Sequence, residues 1–125
     1  MITGLGIDLI EVDRVAVKIS KETGFRELVF SKKEIAYCEN KANKFEHYAA
    51  RFAAKEAFFK AIGTGWAKDT VFNEIEITNN KDGKPEIFFL GKTATTIGEM
   101  TLGKISVSLS HIKTMATAVV IIENI

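Results

Sequence analysis

Apolar and polar residues alternate over residues 2–12, as they do in a strand. Leu5, Ile7 and Leu9 fall on one face, and Gly6, Asp8 and Ile10 on the other. Asp13 suits the N-cap of a short helix over residues 14–22, with Gly24 as its stop. Ser31-Lys32-Lys33-Glu34 has the form of a capping box and opens a second helix. Asn43, with Glu46 three residues on, starts a third and longer helix that runs to about Ile62, where Gly63-Thr64-Gly65 ends it. Beyond that point the period changes. Residues 72–78 and 85–90 read as strands joined by a turn containing Asp82-Gly83. Residues 92–100 read as a helix, and residues 105–110 and 115–123 as strands joined tightly through 111–114. Helices gathered in the first half and mostly antiparallel strands predict an α+β fold: one domain over residues 1–125, its helices packed on a small sheet.

The long helix carries the first chemical signal. On a helical wheel Ala50, Ala54, Ala57 and Ala61 stack on one face, a stripe that lets another backbone come close. Tyr48, Phe52 and Phe59 lie opposite, and Phe58 and Ile62 fill a third sector, so the helix is apolar nearly all round and should be buried. Arg51, Lys55, Glu56 and Lys60 interrupt it. Glu56 and Lys60 sit on the aromatic side at i,i+4, where an ordinary ion pair contributes about 0.2–0.5 kcal/mol. A buried pair is a poor source of net stability, so a functional role competes with the plain one. Asp8 offers a similar choice between pairing with a lysine and holding a ligand. Gly6, two residues before it on the same face, either leaves room for that ligand or forms a bulge. Two carboxylates among apolar neighbours, with cations nearby, describe a magnesium site that handles phosphate.

Other motifs are weaker. Ser108 and Ser110 share a strand face and His111 follows, but no Gly-x-Ser-x-Gly elbow is present, and alone His111 reads as a strand-end histidine. Gly63-Thr64-Gly65 follows a helix rather than opening one, so the phosphate-loop and dinucleotide patterns both fail and a helix cap is the natural reading.

Composition narrows the class. The 125 residues are 46% apolar and 26% charged with a net charge of +1, so no basic field argues for nucleic acid. Cys38 is alone, which fits a reducing compartment. The opening residues lack the basic region and long apolar core of a signal peptide, and the apolar run 118–122 is too short to span a bilayer. These features predict a cytoplasmic protein without membrane or nucleic-acid partners.

In combination the motifs resemble the small bacterial holo-acyl-carrier-protein synthases, which are 4′-phosphopantetheinyl transferases. The resemblance rests on Gly6-Ile7-Asp8-Leu9-Ile10 with Asp13-Arg14, and on Arg51-Phe52-Ala53-Ala54-Lys55-Glu56-Ala57 continuing to Lys60 and Gly63-Thr64-Gly65. Gly83-Lys84-Pro85 and Ser108-Leu109-Ser110-His111 complete it, so it covers essentially the whole chain. It implies magnesium-dependent transfer of phosphopantetheine from coenzyme A to a serine of apo acyl carrier protein, in fatty acid biosynthesis. The residues it singles out are Asp8 and Glu56 as metal ligands, with Glu56, Lys60 and Asp8 in catalysis. Arg51, Lys55, Lys60, Gly63, Pro85, Ser110 and His111 would contact coenzyme A. It also implies a homotrimer with sites between subunits. The acidic carrier protein would dock on Arg14, Lys18, Lys21 and Arg26, with Arg14 outside the metal and phosphate set. Two competing readings are a non-catalytic coenzyme A or nucleotide-binding module, and a structural oligomer in which Glu56 pairs with Lys60.

Overall fold

The computed structural model describes residues 1–63 and 68–124, so Thr64 and Gly65 of the predicted helix-ending triplet lie outside the described residues. Strand β1 (Ile2–Glu11) runs without a loop into α1 (Val12–Lys21), followed by α2 (Phe25–Val29), α3 (Lys32–Glu39) and α4 (Lys44–Ile62). A 3-10 turn (Phe72–Glu74) leads into β2 (Ile75–Asn79) and β3 (Pro85–Phe89), then α5 (Gly91–Glu99), β4 (Lys104–His111) and β5 (Met115–Glu123). The strands form two antiparallel sheets: β1-β5-β4, and the hairpin β2-β3.

The predicted elements are present, with local differences that have physical causes. Asp13 does not cap α1. The helix begins two residues earlier, with Glu11 at the cap making no side-chain bond, because the Val12 amide is already taken by the Thr114 carbonyl in the sheet. The short α2 was not predicted; it starts at Gly24, whose φ of 85° lets the chain reverse into it. Residues 72–74 coil before β2 instead of extending the strand. The capping box of α3 forms as read, with Ser31 and Glu34 bonded reciprocally. Asn43 occupies the cap of α4 without a side-chain bond, and Gly63 (φ 78°) closes that helix.

Helix α4 lies across the three-stranded sheet. Its alanine stripe does admit another backbone, and that backbone is β1. A Cβ at Gly6 would overlap the Ala57 carbonyl oxygen, and one at Gly4 that of Ala61. Gly6 is therefore a packing glycine rather than space for a ligand; the register irregularity in β1 lies at residues 2–4. Ala118, Val120 and Ile122 of β5 complete this core with Phe58, Phe59, Ile75 and Ile77. The opposite face of the sheet carries Leu5, Ile7 and Leu9, which are 63–64% exposed. Beside them in register stand Ile121, Val119 and Thr117 of β5, then Ser106, Ser108 and Ser110 of β4.

A buried ion pair ties the layers together. Lys55 and Glu34 are both fully buried, 2.8 Å apart. Lys55 also donates to the Phe72 carbonyl (2.8 Å) and to the Ile75 carbonyl. Glu34 takes the Ser31 amide and Lys55 on Oε1 and the Ile77 amide on Oε2. This overturns the assignment of Lys55 to coenzyme A: its three donors are consumed inside the protein, with no accessible surface left. Removing one member of such a pair strands the other charge, at a cost of about 3–5 kcal/mol. Lys55→Met should therefore lower the melting temperature by roughly 10–20 °C, given a few degrees per kcal/mol for a domain of this size. Calorimetry checks this, and a loss under about 3 °C would remove the pair from its structural role.

Candidate active site

Asp8 leaves β1 on the helix-facing side, and α4 brings Glu56 and Lys60 to it. The Lys60 ammonium donates to Asp8 Oδ1 (3.1 Å) and to the Ile7 carbonyl (3.0 Å). Lys60 thus pairs across elements with Asp8 rather than along the helix with Glu56, because β1 packs so close on the alanine stripe. Asp8 and Glu56 line one cleft of about 360 Å³ together with Arg14 and Lys18 of α1, Phe25 of α2 and Phe52 of α4. Burial, and then the Asp8 charge, push the Glu56 carboxyl above its usual range; Lys60 and Lys18 oppose this. Two carboxylates that repel each other, ringed by Lys60, Arg14 and Lys18, make a site fit for a cation and a phosphate together.

A second cleft, of about 170 Å³, shares no lining residue with the first. It holds Arg51, Pro85 and His111, joined by Tyr37, His47 and Asn79. Arg51 is 2% exposed; it lies on the Tyr37 ring (4.2 Å) and donates to Asn79 Oδ1 (2.7 Å), while its Nε has no partner among the described residues. An arginine buried with a donor unspent is suited to an incoming anion. His111 Nδ1 lies 2.9 Å from Glu46 Oε1, and its ring meets His47 edge-on. Consecutive α4 residues Arg51 and Phe52 face different clefts, so one helix serves both.

A model of the 4'-phosphopantetheinyl transferase superfamily matches residues 4–117. The chain belongs to the 4'-phosphopantetheinyl transferase superfamily. It is 50% identical to the holo-[acyl-carrier-protein] synthase of Cytophaga hutchinsonii, covering 97% of both chains, and 44% identical to that of Solibacter usitatus over 99% of this chain and 100% of the other. Among solved structures, the holo-[acyl-carrier-protein] synthase of Neisseria meningitidis superposes with a TM-score of 0.88 at 30% identity, over 99% of this chain and 100% of the other. The Helicobacter pylori synthase, solved in complex with coenzyme A, gives 0.80 at 30% identity, over 95% of this chain and 99% of that one.

Within this superfamily member the anticipated site residues divide. Asp8, Glu56 and Lys60 converge; Arg51, Pro85 and His111 converge elsewhere. Ser110 stands on the outer sheet face beside Thr117, on the opposite side of β4 from His111, as strand alternation requires. Gly63 caps α4 with its amide on the Phe59 and Lys60 carbonyls. Arg14, expected outside the metal and phosphate set, lines its cleft. Arg26 is not a free cation: Glu27 (2.7 Å) and Glu39 (3.4 Å) neutralise it. Tyr37, Glu46 and His47 were not anticipated. The signal for His47 was available, since it lies four residues before Arg51 on one helix face; Glu46, five residues before Arg51, carried no such signal. Cys38 is no nucleophile: burial pushes its thiol up to about 12. A hollow of about 540 Å³ beside Ser31 and Glu76 contains none of the anticipated residues.

The raised Glu56 carboxyl has a stability consequence of fixed sign. Between its unfolded and folded values the native state holds more protons than the unfolded one, so stability falls as pH rises through that window. Glu56→Gln removes this penalty. The ligand-free variant should melt above wild type at pH 7 and equal it near pH 4, which calorimetry at the two pH values reads. A lower melting temperature at pH 7 would show Glu56 to be a net stabilising group.

Proposed function

We infer that the chain is a holo-acyl-carrier-protein synthase. It transfers 4′-phosphopantetheine from coenzyme A to a serine of apo acyl carrier protein and releases adenosine 3′,5′-bisphosphate. The observation that carries this reading is the meeting of Asp8 and Glu56 at one cation-rimmed cleft, in a chain half identical to a named synthase. In the reaction the serine oxygen attacks the phosphorus that bears pantetheine, the pyrophosphate P–O bond breaks, and the bisphosphate leaves with the electron pair. Glu56, whose carboxyl burial raises above its usual range, takes the serine proton, directly or through water. Lys60, released from Asp8, meets the charge that develops on the pyrophosphate. The donor set suits magnesium: two carboxylates with a phosphate-bearing substrate are how proteins usually hold it, and Asp8 and Glu56 would be the ligands. When bound, the ion neutralises charge on the phosphate oxygens and orients the leaving group.

The split site supports assembly. Arg51, Pro85 and His111 are proposed to contact coenzyme A, yet they line a different cleft from Asp8. A homotrimer that joins the first cleft of one copy to the second cleft of the next brings the set together. The uncovered apolar face of Leu5, Ile7 and Leu9 supplies the surface to bury. Gly63 and Ser110 stay in the proposed coenzyme A set as rim contacts. No described helix is long and apolar enough to cross a membrane, and a cytoplasmic place in fatty acid biosynthesis suits the reaction.

Two outcomes test this reading. Asp8→Asn and His111→Ala should each lose most transfer activity, read by mass as the carrier protein gaining its phosphopantetheine arm. Unfolded together and refolded as mixed trimers, they should regain activity at about one quarter of sites, since random mixing pairs two intact halves that often. No recovery from trimers shown to be mixed would place each site within one subunit. For docking, the acidic carrier protein meets Lys21, an exposed cation that does not line the Asp8 cleft, beside Arg14 and Lys18. Lys21→Glu should raise the carrier-protein KM about threefold at low salt, the scale of a rim charge, and leave that for coenzyme A unchanged. Equal carrier-protein KM values would move the docking surface off α1.

A further inference from the structure

The second cleft contains an arrangement that the resemblance did not assign. Glu46 and His47 are adjacent on α4, and both turn toward His111 at the end of β4. Glu46 Oε1 lies 2.9 Å from His111 Nδ1, the two side chains being 19% and 26% exposed. The His47 and His111 rings meet edge-on with centroids 4.9 Å apart, and Tyr37 closes on the other side of His47 at 5.7 Å. A carboxylate only accepts hydrogen bonds, so the proton in the Glu46 contact belongs to His111 Nδ1. That leaves Nε2 as the one ring nitrogen free for an occupant of the cleft. In the neutral imidazole Nε2 would be an acceptor and would repel a phosphate oxygen. To donate to an anion, the ring must carry a second proton, and Glu46 is placed to stabilise the cation so formed.

We propose that Glu46 is a positioning residue for His111, holding Nδ1 as donor so that the ring binds an anionic group of coenzyme A through Nε2, with uptake of a proton as the ligand enters. The proposal rests on the reading of this cleft as part of the coenzyme A site. Arg51, whose buried Nε lacks a partner, supplies the permanent charge, and His111 the charge that appears on binding. The groups facing His111 are consistent with this division. From α4 come Glu46, His47 and, one turn on, Arg51; Tyr37 of α3 and Lys41 beyond it stand behind His47. His47 is itself held below its usual range, chiefly by burial, and serves as a packing edge.

The test is titration calorimetry of the assembled protein with adenosine 3′,5′-bisphosphate at about pH 8, where a free histidine is neutral. Repeating it in buffers of different ionisation enthalpy gives the number of protons exchanged. Wild type should take up most of one proton per site. His111→Gln should abolish the uptake and weaken binding about tenfold, the loss of one charge-assisted hydrogen bond. Glu46→Gln, which keeps the acceptor and the shape, should at least halve the uptake and weaken binding several-fold; His47→Asn should leave the uptake in place. Imidazole nitrogen shifts add a check that packing alone would not move: His111 should carry its proton on Nδ1 in the neutral wild type and lose that preference in Glu46→Ala. If His111→Gln weakens binding but Glu46→Gln matches wild type in uptake and affinity, the role of Glu46 is refuted while the coenzyme A reading stands. If His111→Gln binds as wild type does, the assignment of this cleft to coenzyme A fails, and this proposal with it.

Discussion

The buried contact between Glu34 and Lys55 is the constraint on which the rest of the molecule depends. Each charge is fully enclosed, so each must find all its partners inside the protein. Glu34 satisfies the start of its own helix, a strand amide of the hairpin sheet and the ammonium of the central helix. Lys55 returns two bonds, to the carbonyl of Phe72 that opens the 3-10 turn and to that of Ile75 just after it. Such a pair contributes little net stability compared with apolar residues of the same size, but it tolerates few alternative arrangements. It thereby sets the rotation of α4 against α3 and β2.

That rotation distributes the chemistry. With Lys55 turned inward and the alanine stripe pressed on Gly4 and Gly6, the remaining faces of α4 are determined. Phe52, Glu56 and Lys60 meet β1 and α1, whereas Glu46, His47 and Arg51 meet β4 and the hairpin. One helix therefore furnishes two clefts that a single copy of the chain keeps apart. The exposed row of Leu5, Ile7 and Leu9 lies on the sheet face that α4 leaves uncovered. Val119 and Ile121, which alternate with the core residues of β5, extend that apolar row.

The first cleft also carries a cost in stability. Asp8 and Glu56 raise each other's electrostatic energy, and Lys60 relieves only part of it, since it bonds Asp8 and not Glu56. A carboxyl raised by burial and by a like charge, set in a cleft, marks a candidate functional site.

Periodicity alone determined most of the elements, because alternation and helical spacing are local properties. The capping box of α3, the span of α4 and the strand β5 were legible for that reason. So was the need of Asp8, Glu56 and Lys60 for partners, since charges among apolar residues require compensation. Partner choice was not legible. Lys55 and Glu56 are adjacent in sequence with similar surroundings, yet one is sealed in the core and the other opens on a cleft, a difference that only the packing of α3 and β2 decides. The i,i+4 spacing offered Lys60 a bond to Glu56 as the plain alternative, and the approach of β1 across two glycines gave it to Asp8 instead. Gly6 read equally as space and as contact until a second backbone was placed against it. Arg14 and Arg26 looked alike as surface cations, but their neighbours in the fold placed one at the Asp8 cleft and neutralised the other. A sequence states which residues require partners; the folded chain decides which partners come within reach, because burial and distance are set by contacts between distant segments.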